Sequence, residues 1–145
     1  MDIISPERRS ALMSRIRGKD TGIEVTVRKG LHHLGLRYRL GGAGLPGRPD
    51  IVLPMYRAVV FVHGCFWHGH VCPLFRLPKT RMAFWQAKID ANRERDFRKS
   101  HELRSHGWNV HTIWECQIRN LPASEVEHVI RGLAARIKQQ ANSME

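Results

Sequence analysis

Residues 49–65 read PDIVLPMYRAVVFVHGC, and this stretch decides the fold class. Asp50-Ile-Val-Leu53 and Ala58-Val-Val-Phe-Val62 are short and apolar, the second strongly β-branched, the composition of central strands. Pro54 to Arg57 supplies a turn between them, and Gly64 bounds the second run. If the two strands pair antiparallel, the end of the second returns to the start of the first, which places His63 beside Asp50.

Upstream, Thr21-Gly-Ile-Glu24 reads as a capping box, with Thr21 as N-cap and Glu24 at N3. Ile23, Val27, Leu31 and Leu34 form one helical stripe that runs to a Gly35 C-cap. Residues 36–40, LRYRL, alternate with period two as a half-buried strand does, and GGAGLPGRP (41–49) is a loop. Downstream, His63 to Lys79 lacks periodicity but is dense in Cys, His, Trp and Phe. From Thr80 to about His106 the chain is predicted helical, with Trp85, Ile89 and Leu103 inward and Gly107 ending it. Trp108 to Trp114 is a further strand, with both tryptophans expected in the core. Ser124-Glu-Val-Glu127 is a second capping box, opening a last helix through Val126, Ile130, Leu133 and Ile137. The order α, β, β, β, α, β, α implies an α/β sandwich around a mixed sheet.

A chain of 145 residues suits one core. Residues 1–20 stand apart as a basic arm, a candidate amphipathic helix carrying Met13, Arg15 and Arg17, ahead of a single domain over 21–145. No apolar run fits a membrane span or a signal peptide, so the expected compartment is the cytosol. Lys and Arg total 24 against 13 acids, a formal charge of +11. Such an excess favours a polyanionic partner, because each neutralised phosphate releases counterions; ribosomal proteins and membrane-surface binders share the balance. Three cysteines cannot all pair, and a cytosolic chain keeps them reduced.

Cys65, His70 and Cys72 form C-x4-H-x-C, and Cys116 follows a predicted strand. Three thiolates and an imidazole complete a closed tetrahedral zinc shell of the structural kind. The alternative is three buried thiols and a core histidine, since the spacing is not that of C-x2-C knuckles. The irregular loop decides for zinc, because it has little apolar content to fix it otherwise.

Asp50, at the mouth of a strand after a tight turn, can hold a hard cation such as Mg²⁺. His68 lies outside the zinc spacing and can act as a general base, with His63 nearby and Glu24 as a second carboxylate. The alternatives are a turn aspartate, hydrogen-bonded structural histidines and a capping glutamate. Phe66, Trp67 and Trp85 are candidates to wedge between base pairs, or else a small core on the metal loop.

The segments LPGRPD (45–50), FVHGCFWHGHVC (61–72), RMAFWQAKIDANRERD (81–96) and GWNVHTIWEC (107–116) resemble, in order, the motifs of the very short patch repair (Vsr) endonucleases. The resemblance runs from about residue 6 to 120. It implies a restriction-endonuclease-like, PD-(D/E)xK-type three-layer sandwich that nicks duplex DNA 5′ to the thymine of a T:G mismatch, the product of 5-methylcytosine deamination. It further implies Asp50 as the main Mg²⁺ ligand and His68 as the base, supported by Glu24 and His63. Zinc would sit on Cys65, His70, Cys72 and Cys116, and Phe66, Trp67 and Trp85 would form the wedge. The N-terminal helix would reach the opposite groove. A monomer in the bacterial cytoplasm is expected, coupled to mismatch-repair proteins and a repair polymerase. Two departures stand out. Val62 replaces a threonine, so only its backbone carbonyl can touch a metal. Gly69 and Val71 replace histidines, leaving His70 as the zinc ligand. Asn92 matches a motif position without an assigned role. The alternatives are a nuclease for another lesion or sequence, or a non-catalytic zinc-stabilised DNA-binding module. Asp50 together with His68 argues against the module, which needs neither.

Overall fold

Ile51–Leu53 and Ala58–His63 form strands β1 and β2, paired antiparallel with Ile51 opposite Val60 and Leu53 opposite Ala58. The computed structural model describes residues 21–72 and 76–143, so the basic arm with Met13, Arg15 and Arg17 lies outside the described residues. The turn between the strands is a single 3-10 turn, Pro54–Tyr56, closed by Arg57 in the left-handed region. Strand β3, Asn109–Trp114, lies parallel to β2, with His63 opposite Trp114 at their carboxyl ends. The sheet is therefore mixed, in the order β1-β2-β3. A parallel pair needs a crossover, and helix α2, Met82–Ser105, provides it.

Alternation along the strands sorts the core into two layers. Ile51, Leu53, Ala58, Val60 and Ile113 meet Ile23, Val27 and Leu31 of helix α1 (Thr21–His33) and Ile130, Leu133 and Ile137 of helix α3 (Ala123–Ser143). Val52, Val59 and Phe61 face the other way and pack with Leu103 of α2. Each fully buried Leu or Ile contributes about 1.5–3 kcal/mol. Helix α2 is the exception among the helices, since only Ile89 and Leu103 of its 24 residues are buried. Its polar inner positions serve the site described below.

Four expectations need correction. Residues 36–40 do not form a strand; Arg39 makes a lone antiparallel bridge to Val52. The buried residue that opens that stretch is set by a helix cap. Gly35, at φ 89°, donates to His32, and Leu36 donates to Leu31, the two bonds of a Schellman motif that tucks Leu36 into the core. The same device ends α2. Gly107 donates to Arg104 and Trp108 to Leu103, so Trp108 precedes β3 and stays half-buried against the Arg57 guanidinium. Trp114 is likewise half-buried rather than core, because it closes the sheet end where the site lies. The second capping box does not form as predicted, since α3 begins at Ala123, with Glu125 and Val126 donating to the Pro122 carbonyl. Glu127 instead pairs with Arg131, one turn on, at 3.0 Å.

Candidate active site and metal centre

The loop after β2 is wound by its own backbone, with His68 donating to Gly64 at 3.2 Å and His70 to Cys65 at 2.9 Å. This winding brings His70 back over Cys65, while the end of β3 delivers Cys116. The ligand atoms of Cys65, His70, Cys72 and Cys116 all lie within 4.8 Å of one another, and no disulfide joins the cysteines. Nδ1 of His70 is 3.6 Å from both the Cys65 and the Cys116 sulfurs. A tetrahedral zinc with ordinary bond lengths has an S···N edge of about 3.6 Å, so the donor set fits that ion in chemistry and in size.

Electrostatics agrees. Burial, then the neighbouring thiols, pushes the Cys65 thiol up to about 12, and burial also raises Cys116. Thiols crowded in this way ionise only when a cation compensates them. A buried carboxylate of Glu115 accepts the Cys65 backbone N–H at 3.2 Å and pairs with Arg119, which fixes the loop backbone from β3. Glu115 escaped the sequence reading; its signal was a lone acid between Trp114 and Cys116.

On the α2 side of the same loop stands a second constellation. His68 Nδ1 lies 2.5 Å from Asp96 Oδ2, and the His68 ring stacks on His63 at 3.8 Å and 6°. The ligand atoms of His63, His68 and Asp96 also lie within 4.8 Å. Stacked imidazoles direct their lone pairs along parallel planes, however, so they do not converge on one cation. The arrangement suits proton transfer: with Nδ1 donating to Asp96, Nε2 of His68 is the accepting nitrogen. Burial first, then His68, pushes the His63 pKa down to about 3, so His63 is neutral at neutral pH. Its Nδ1 is buried without a hydrogen-bond partner among the described residues. Asp96 was missed as a site residue although it ends the quoted motif 81–96; an acid on a charged helix carries no signal until the fold places it.

Asp50 is half-buried just ahead of β1, and its Oδ2 accepts the Val62 backbone N–H at 2.7 Å. The antiparallel register carries Asp50 towards Phe61, and its carboxylate reaches on to Val62, the neighbour of His63, though it does not join the His63–His68–Asp96 group. The turn that delivers it holds Gly47 and Arg48 at positive φ, 77° and 47°. Glu24 is buried on α1, 3.9 Å from Arg28, and is also outside that group.

The aromatic residues assemble into one cluster. Phe66, Trp67 and Trp85 are in mutual contact with centroids 4.9–5.8 Å apart, and Phe84 extends the set from Trp85. Arg81 caps the Phe84 ring at 4.2 Å, and Lys88 lies 5.7 Å from the Trp67 ring. Trp67 is buried, with Nε1 lacking a partner among the described residues, whereas Phe66 and Trp85 are half-buried and Phe84 is exposed. Asn92 acquires a role, donating from α2 to the Trp67 carbonyl at 2.9 Å. Gly69, at φ 62°, lets the loop press on α2, since a Cβ there would meet Ile89 at 2.7 Å.

A family profile described as DNA mismatch endonuclease Vsr matches residues 1–74. The chain is 47% identical over 118 residues to the DNA mismatch endonuclease Vsr of Escherichia coli K12, covering 81% of this chain and 76% of that protein. It is 52% identical over 124 residues to the type II nicking enzyme V.XorIIP of Xanthomonas oryzae pv. oryzae, covering 86% and 91%. It is 45% identical over 119 residues to the type II nicking enzyme V.NmeAIP of Neisseria meningitidis, covering 82% and 85%. With these matches spanning the β2 loop, the α2 acid and the Trp-Glu-Cys end of β3, the chain belongs to the Vsr family of DNA mismatch endonucleases.

Proposed function

We propose that this endonuclease cuts one strand of duplex DNA 5′ to the thymine of a T:G mismatch, with Mg²⁺ at Asp50 and zinc as a structural clip. The observation that carries the proposal is the His68–Asp96 pair at the carboxyl end of a parallel strand pair, with the Asp50 carboxylate bound to Val62 on the same strand. Ligands in open α/β sheets bind at such ends. In this scheme Asp96 holds His68 by Nδ1, so Nε2 accepts the proton of an attacking water. Neutral His63 supports the ring from its other face without adding charge that would repel a protonated His68. Asp50, with the Val62 carbonyl, provides hard oxygen donors, the kind Mg²⁺ takes alongside substrate phosphates. When bound, Mg²⁺ supplies charge neutralisation at the scissile phosphate and lowers the pKa of water. Glu24 would add negative charge from α1.

Phe66, Trp67 and Trp85 would select the mismatch, because a mispaired step is less costly to unstack than a matched one. Trp67 is buried within the cluster, so the more open Phe66 and Trp85 would enter first, with Arg81 and Lys88 meeting phosphates. The helices on both faces of the mixed sheet support a restriction-endonuclease-like, PD-(D/E)xK-type sandwich over residues 21–145. Residues 1–20, including Met13, Arg15 and Arg17, would form the arm that reaches the opposite groove. We take the acting unit to be a monomer in the bacterial cytoplasm, working with mismatch-repair proteins and a polymerase.

The test is cleavage of an end-labelled duplex carrying T:G, T:A or C:G at one position, with and without Mg²⁺. A single break 5′ to the mismatched thymine, only with Mg²⁺, is expected. Equal cleavage of the three duplexes would leave an endonuclease of other specificity.

A further inference from the structure

The two clusters share a wall. The Trp114 indole stacks on His70 of the metal centre at 4.2 Å and 12°. It meets His63 at 5.1 Å and 70°, and His68 at 6.3 Å and 73°. His63 and His68 are themselves parallel, so both rings are steeply inclined to the indole plane. Trp114 is in turn fixed from two sides: it is in register with His63 across the parallel ladder, and its backbone N–H donates to Gln117 at 2.8 Å.

We propose that Trp114 is a positioning residue, which sets the tilt of the His63–His68 pair relative to the metal-clipped loop. The inference rests on the nuclease reading above for its consequence in catalysis, and on ring geometry alone for the positioning itself. The His68 ring is held by Asp96 at one nitrogen and by His63 on one face. Phe61 meets the His63 ring at 5.6 Å and 41°, but among the described residues Trp114 is the ring that meets both imidazoles of the pair. The indole ties their tilt to the loop, because it is itself stacked on His70, whose Nδ1 lies against two cysteine sulfurs. A base acts only within hydrogen-bond reach and angle of its proton, and small misplacements are costly in rate.

The test compares Trp114→Leu with Trp114→Phe in the full chain carrying its zinc. Single-turnover nicking of the T:G duplex should fall on the order of 10- to 100-fold in Trp114→Leu, with duplex affinity within about twofold of wild type, and recover most of the loss in Trp114→Phe. Carbon-13 NMR of the imidazole Cε1–H groups gives a readout that needs no activity. In Trp114→Leu the His63 and His68 signals should broaden from exchange between ring orientations, beyond the ring-current shift that loss of the indole gives by itself, while zinc content stays at one per chain. Imidazole linewidths equal to wild type overturn the proposal, as does a loss confined to duplex affinity, which would make Trp114 a DNA contact. Zinc lost in step with activity overturns it too, since Trp114 would then serve only the metal site. If wild type fails to nick a T:G duplex, the function fails and the imidazole signals still decide the positioning.

Discussion

His68 and Asp96 meet at 2.5 Å across 28 residues of sequence, one on the Cys- and His-rich loop after β2 and the other midway along α2. Both side chains remain about a quarter to a fifth exposed, so the pair can face solvent or a substrate from one side. The crossover helix therefore does more than link two parallel strands. It buries little, and its polar positions Asn92 and Asp96 hold the loop carbonyl of Trp67 and the ring of His68.

Asp96→Asn should leave the fold and duplex binding intact while lowering nicking on the order of 100-fold or more, because an amide no longer fixes the Nδ1 tautomer. Single-turnover rates and gel shifts on the same T:G duplex would show it. A rate within threefold of wild type would remove Asp96 from the mechanism.

One zinc per chain is expected by elemental analysis of protein purified without added metal, given the 3.6 Å S···N spacings. Cys116→Ala should lose it and destabilise the fold by about 4 kcal/mol or more. For a chain of this size that corresponds to roughly 10 °C in melting temperature. A metal-free wild type with an unaltered Cys116→Ala melt would refute the site.

Gly69→Ala should destabilise the loop by about 1–3 kcal/mol, from positive φ combined with a Cβ 2.7 Å from Ile89. Denaturant melts would detect it. The pairing with Ile89→Ala, which opens that space, should recover the steric part and leave the backbone strain.

His111 offers a pH test away from the metal centre. Burial, then Arg136 and Arg104, lowers its pKa in the fold, and its Nε2 is buried without a partner among the described residues. The unfolded chain, with an imidazole near 6.5, then binds more protons as the solution acidifies. Stability is full above that value and falls below it, by at most about 1.4 kcal/mol per pH unit for one group. Urea melts at pH 7.5 and 5.5 should show a smaller acid loss for His111→Leu than for wild type. An equal loss would mean His111 is charged in the fold.

The two central strands, the crossover helix and three of the four metal-type ligands were legible because each rests on a short-range pattern, while Cys116 was marked only by its place after a strand. Asp50-Ile-Val-Leu53 and Ala58–Val62 are apolar runs too short for a helix, and Cys65, His70 and Cys72 are close in sequence. What was not legible depends on distant partners. Two Schellman caps imitate strand starts at Leu36 and Trp108, because the cap draws in an apolar residue just past the glycine. Ser124 sits inside its helix, one residue after Ala123, where S/T-x-x-E spacing recurs without a cap. Asp96, Glu115 and Trp114 act through loops that only the tertiary fold brings beside them.

In the proposed mechanism Asp50 belongs to the cutting machinery and not to the binding surface. The measurement is the single-turnover nicking rate of Asp50→Ala on a T:G duplex in Mg²⁺, with duplex affinity taken in the same samples. Nicking should fall at least on the order of 1,000-fold, since a metal-holding carboxylate is lost. Affinity should be equal to wild type or slightly tighter, because a negative charge near phosphate has gone. An Asp50→Ala protein that nicks at the wild-type rate would contradict it.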